Sequence, residues 1–188
     1  MSDLLLDAHR RDVDELLRLA LNDLNSVWRE IDGADAARAA LMDLLPDLTA
    51  LYGSAAASLA ADWYDEMRES AGAAGRFRAI PVELPDRGRT DALARWGIAP
   101  LFGAEPDFDA AKSLVAGGFQ RIVADADRYT VLGSAAADPA SNRWQRQTTG
   151  VSCAFCLMLA GRGAVFRADT ADFQAHDHCD CLAIPAFN

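Results

Sequence analysis

Residues 152–166 read SCAFCLMLAGRGAVF and residues 173–181 read FQAHDHCDC; together they hold all four cysteines and two of the three histidines of the chain. Cys153 and Cys156 stand at C-x-x-C spacing, where the intervening turn points both sulfurs toward one tetrahedral ion. Some 19 residues separate Cys156 from His176, and the second group adds His176, His178, Cys179 and Cys181. A loop of that size between a C-x-x-C and a Cys/His group is common in zinc modules. Six donors exceed the four that a structural zinc needs, and the neighbours His178 and Cys179 do not both face one ion from a regular backbone. The preferred set is Cys153 and Cys156 with two of His176, Cys179 and Cys181. His178 is then the alternate ligand, or a group that hydrogen-bonds a ligand from outside.

Other chemistries fit the same residues less well. A thioredoxin-like redox pair needs its C-x-x-C in a βαβ context, which nothing here supplies. Two disulfides would use all four cysteines and leave the histidines idle, an option open to a particle in oxidising surroundings. A catalytic zinc keeps an open position and wants a nearby base. From Ser141 onward there is no glutamate, which argues against a zinc hydrolase or deaminase and leaves His178 as the base of a nuclease-like site. His9 reads as a surface or boundary histidine, and the acids of DWYDEMRE (62–69) as a solvated helix face.

Working outward, the rest of the chain is helical in pattern. Apolar residues recur at three-and-four spacing from Val13 to Ile31 and from Leu41 to Trp63, with Pro46 set either to kink one long helix or to separate a pair of short ones. Residues 76–104 read as irregular, with a short helix at 91–96. A third long helix covers 107–132, where Gly117 and Gly118 would permit a close helix contact. Residues 133–142, GSAAADPASN, read as a linker. The expected fold class is mainly α: a small helical bundle over 1–140 with a short C-terminal α+β zinc-type module over 141–188.

Charge divides the same way. The formal net charge is −10. From Ser141 on, four arginines (Arg143, Arg146, Arg162, Arg167) balance four aspartates, so the whole excess lies in residues 1–140. Such a body repels a phosphate backbone, whereas residues 141–168 carry no acid and keep a local nucleic-acid contact open. Trp144 is expected to pack under the cysteine knuckle. The charged start of the chain argues against a signal peptide, and no apolar run is long enough to span a bilayer. A soluble protein made in a cytosol is expected, and no membrane partner.

Two stretches, NRWQRQTTGVSCAFCLMLAGRGAVF (142–166) and FQAHDHCDCLAIPAF (173–187), resemble the C-terminal module of phage head-morphogenesis proteins, the Mu F-like minor capsid family. The likeness is to the version found in tailed phages of actinobacteria. It runs through Trp144, Arg146, Gly150, the C-x-F-C pair, the LAGRG turn and the closing His176, Cys179 and Cys181. The stretch LYGSAAASLAADWYDEMRESAGAAGRFRA (51–79) is similar to the helical part of the same proteins. The resemblance implies a minor structural protein of the virion, placed at the capsid interior or portal vertex and present in host cytoplasm during assembly. Implied partners are the portal or major capsid protein, with packaged DNA within reach of Arg143, Arg146, Arg162 and Arg167. Some relatives are linked to capsid maturation proteases, but no Ser-His-Asp set or nucleophile elbow accompanies the serines of this chain. The expectation is therefore a protein without catalytic residues, with a metal-dependent nuclease or maturation protease as the alternative.

Overall fold

The computed structural model describes residues 2–148 and 152–188; Gly150 of the resemblance lies outside them. Helix α1 (Ser2–Arg29) turns at Gly33, whose φ of 92° an L side chain resists, into helix α2 (Ala34–Ser70). The buried stripe of α1 is Val13, Leu17, Ala20, Leu24 and Trp28, the spacing of an amphipathic helix facing a core. Helix α2 is longer at both ends than its leucine pattern indicates, and Pro46 lies inside it. Proline has no N–H to give the carbonyl four residues back, that of Met42. Arg87 Nη2 donates to that carbonyl at 2.6 Å instead, so one long helix forms in place of a pair.

Helix α3 (Arg87–Gly97) begins earlier than the sequence pattern places it, because the Asp86 carboxylate caps it by accepting from the Gly88 N–H at 2.9 Å. A 3₁₀ turn (Ala99–Phe102) leads to helix α4 (Phe108–Ala137), capped in the same manner by Asp107. Helix α4 is central and packs on α1, α2 and α3. A Cβ at Gly118 would lie 2.4 Å from Leu93 Cδ1, and one at Gly97 2.5 Å from Val115 Cγ2. The glycines thus let α3 and α4 meet at a separation that no larger residue permits.

Residues 133–142 are not a linker. Gly133–Ala137 continue α4, since the alanine run outweighs one helical glycine. Asp138 then ends the helix as a buried anchor: its carboxylate accepts from Arg68 Nε at 2.8 Å and from the Tyr64 hydroxyl at 3.2 Å. Arg68 also donates to the carbonyls of Ala73, Ala74 and Gly75, tying down the chain after α2. Strand β1 (Ser141–Gln147) follows at once and forms the middle of an antiparallel sheet ordered β2-β1-β3, with β2 at Phe166–Arg167 and β3 at Leu182–Phe187. Trp144 stands opposite Phe166 on one side and Pro185 on the other. A short helix, α5 (Ala154–Ala160), lies between β1 and β2. The fold is mainly α with a small C-terminal strand region, and one continuous buried cluster runs from Val13 in α1 to Ile184 in β3.

Candidate metal centre

Helix α5 places the first two donors. Cys153 is its N-cap residue, and its sulfur accepts from the Cys156 N–H at 3.4 Å. One turn of helix therefore sets both thiols on the same side, with Cys156 buried and Cys153 exposed. His176 approaches from the loop before β3, its Nε2 3.1 Å from Cys153 Sγ and 3.8 Å from Cys156 Sγ. Its Nδ1 lies 2.7 Å from the Asp177 carbonyl. A hydrogen bond donated there leaves Nε2 with a free lone pair aimed at the sulfurs. Cys179 Sγ sits 4.0 Å from Cys156 Sγ on the inner side. Cys181, one residue before β3, completes two overlapping triads: Cys153, Cys156 and His176, then Cys156, Cys179 and Cys181. Within each, the donor atoms lie no more than 4.8 Å apart.

The donor set fits a metal ion. Zinc bonds of about 2.3 Å to sulfur and 2.0 Å to nitrogen place tetrahedral donors roughly 3.5–3.8 Å apart, close to the separations around Cys156. All four thiols are free. His178 belongs to neither triad. It takes a left-handed backbone (φ 59°) and turns to α4, where its Nε2 would stand 2.6 Å from a Cβ on Gly117. That position sets it apart from both triads. Gly117 makes the contact possible by having no side chain.

Two buried arginines organise the surroundings. Arg128 of α4 donates to the Cys181 carbonyl at 2.9 Å and the Cys179 carbonyl at 2.7 Å, while Asp125 balances its charge at 3.0 Å. Arg146 of β1 donates to the carbonyls of Phe173 and Gln174, lies over the Phe173 ring, and points Nη1 at Cys156 Sγ from 3.6 Å. Among the described residues Arg146 has no carboxylate partner. A buried, unbalanced guanidinium is costly, and the Cys156 sulfur within its reach is the group that a bound metal would hold as a thiolate.

The thiols are tuned unequally. The Cys156 N–H, then His176, bring Cys153 down to about 7. A hydrogen bond from Cys181, helped by Arg128, brings Cys179 down to about 5. Cys181 is pushed up by that same bond and by burial, so it keeps the proton of the pair. Burial raises Cys156, and the Asp177 carbonyl, then Cys153, raise His176.

Trp144 is buried where the sequence places it, stacked between Phe166 at 4.7 Å and Phe173 at 5.3 Å. Of the four tail arginines, Arg146 is buried and does not reach a nucleic acid, and Arg167 is forked onto Asp169 at 2.7 and 3.0 Å. Arg143 and Arg162 are exposed. His9 is not a boundary residue: it is buried in the bundle, stacked on Trp63 at 4.3 Å, with Nε2 2.7 Å from Asp127 Oδ1. Its place one turn before Val13 on the buried stripe of α1 was the available signal.

The family model described as VG15 protein matches residues 2–188, and the chain belongs to that family of phage proteins. It is similar to the Gene 15 protein of Mycobacterium phage D29, 28% identical over 191 residues, covering 79% of this chain and 66% of the relative. Similarity to the Gene 15 protein of Mycobacterium phage L5 is 28% over 199 residues, covering 79% and 64%. The chain thus spans just under two thirds of the length of these relatives. No solved structure matches it.

Proposed function

We propose that this VG15-family chain is a minor structural protein of a tailed-phage virion, acting in head morphogenesis at the portal or capsid interior and catalysing no reaction. The observation that carries the reading is the character of the Cys/His centre. Three of its thiols are buried, and its loop carbonyls are taken up by Arg128 and Arg146. Such a centre fastens the returning chain onto β1 and α4 and offers no base beside an open coordination position. The Mu F-like resemblance and the phage relatives support the place of action.

The residues that would hold a structural zinc are Cys153, Cys156, His176 and Cys179, with Cys181 behind them as the proton-bearing thiol. Bound there, the ion would supply folding free energy to a tail with little apolar mass of its own. Three thiolates and one imidazole leave the zinc centre with a net single negative charge, which Arg146 offsets.

The test is co-expression with the portal and major capsid proteins of the same phage, followed by purification of heads. The chain is expected in the particles as a minor component bound to portal. Heads of normal composition and yield formed without it, together with no portal binding, would contradict the reading.

A further inference from the structure

Helix α4 grips the loop before β3 at the residues that directly follow His176. A Cβ on Gly117 would stand 2.6 Å from His178 Nε2, 2.9 Å from His178 Cδ2 and 3.0 Å from Asp177 Cβ, so the loop lies on the bare backbone of the helix there. One turn further along the same face of α4, Arg121 Nη1 meets Asp177 Oδ1 at 3.1 Å in a partly buried ion pair. Backbone contact and ion pair together form a seat for residues 177 and 178.

His176 depends on that seat. Its Nδ1 is 2.7 Å from the carbonyl of Asp177, so the residue held by Arg121 is also the one whose backbone orients the imidazole. That orientation sends Nε2 to Cys153 and Cys156. The imidazole and Cys153 are exposed, whereas Cys156, Cys179 and Cys181 form a triad that is buried throughout. The two triads share Cys156, so His176 on the outer side and Cys181 on the inner side are rivals for the same ion.

We propose that Gly117 and Arg121 are positioning residues for the metal: they seat His176 as its nitrogen ligand, and when the loop is lifted off α4 Cys181 takes the place of His176. This rests on the zinc reading above and adds what decides between its donors. Exchange of an imidazole for a thiolate puts a second negative charge on the centre, more than Arg146 offsets, so the all-sulfur arrangement binds the ion less tightly.

Cobalt(II) titration of the full reduced chain tests this, because tetrahedral cobalt absorbs in the visible and a thiolate in place of an imidazole moves its bands to longer wavelength. The wild type is expected to give the spectrum of three sulfurs and one nitrogen. Gly117→Ala and, separately, Arg121→Gln should each move the bands to longer wavelength and weaken zinc binding about 10–100-fold, with helical signal unchanged. Cys181→Ser should abolish the shifted bands when added to either variant and leave the wild-type spectrum alone. His178→Gly added to Gly117→Ala removes the side chain that the new methyl would strike, suits the left-handed backbone at φ 59°, and should restore the wild-type bands. Bands that stay in place in Arg121→Gln, or shifted bands that survive Cys181→Ser, overturn the proposal and leave the zinc reading standing. A wild-type chain that takes up no cobalt overturns both.

Discussion

The helical body and the tail are held together by different physics. In the body, Leu41, Leu45, Val115 and Phe119 are fully buried, and the buried charges stand in pairs such as Arg68 with Asp138 and His9 with Asp127; the larger share of stability comes from apolar area removed from water. The tail folds around Trp144 and Phe173, but its loops are fixed by two buried guanidinium groups donating to carbonyls and carry two overlapping triads of Cys/His donors. A metal held by those donors would make the tail, and not the body, sensitive to chelation. A single buried cluster joins them, so the contrast lies in the forces at work and not in a gap between the regions.

The largest effect is expected from Cys156→Ser, which removes the donor common to both triads. The near-ultraviolet signal of Trp144 and the protease resistance of residues 141–188 should be lost while helical content stays near that of the wild type. Retention of both would show that the tail folds without its donors. Phe119→Ala should act in the opposite sense, costing about 3–5 kcal/mol of global stability by opening a cavity while leaving zinc affinity in the folded state unchanged. Arg146→Leu comes next: zinc binding should weaken about 10–100-fold, the range for a group that orients or balances ligands, as read by competition with a chromophoric chelator. Gly118→Ala drives a methyl to within 2.4 Å of Leu93 and should cost about 1–3 kcal/mol by overpacking, with no change in metal content.

A smaller, graded effect is expected of pH. Cys153 sits at about 7 and takes up a proton as pH falls through that value, and His176 and Cys156 are both raised, so each holds its proton more tightly than an ordinary imidazole or thiol. Metal binding requires all three free, and zinc affinity should therefore decline on the acid side, with protons taken up as zinc is released. Cys179, at about 5, is already ionised across that window and adds no proton. Because metal binding stabilises the folded tail, its melting temperature should fall in the same direction, and a profile flat between about pH 8 and 6 would count against this ligand set.

Much of the body is legible from periodicity. Helix α1 and the core of α4 follow their apolar spacing almost to the residue, and the Gly117-Gly118 pair marks a close approach. Asp138 is hidden because an aspartate in an Ala-Ser-Pro stretch reads as solvent-facing, and only the distant Arg68 makes it an anchor. Arg146 resembles a surface contact for the same reason: nothing local in the order Trp-Gln-Arg says which side of β1 faces Cys156. The donors themselves are legible by spacing, but the separation of His178 from the rest rests on a left-handed residue turning toward a glycine 61 positions earlier. Long-range pairings of this kind leave no local signature.

The central claim is that the C-terminal tail is closed by one metal ion held between α5 and the loop before β3. Native mass spectrometry of the chain, purified reduced and without added metal, addresses it most directly. The account predicts one zinc per chain, about 63 Da after loss of two protons, released together with the Trp144 environment on acidification or chelation. A metal-free mass from reduced, freshly prepared protein whose tail nonetheless resists protease would contradict it.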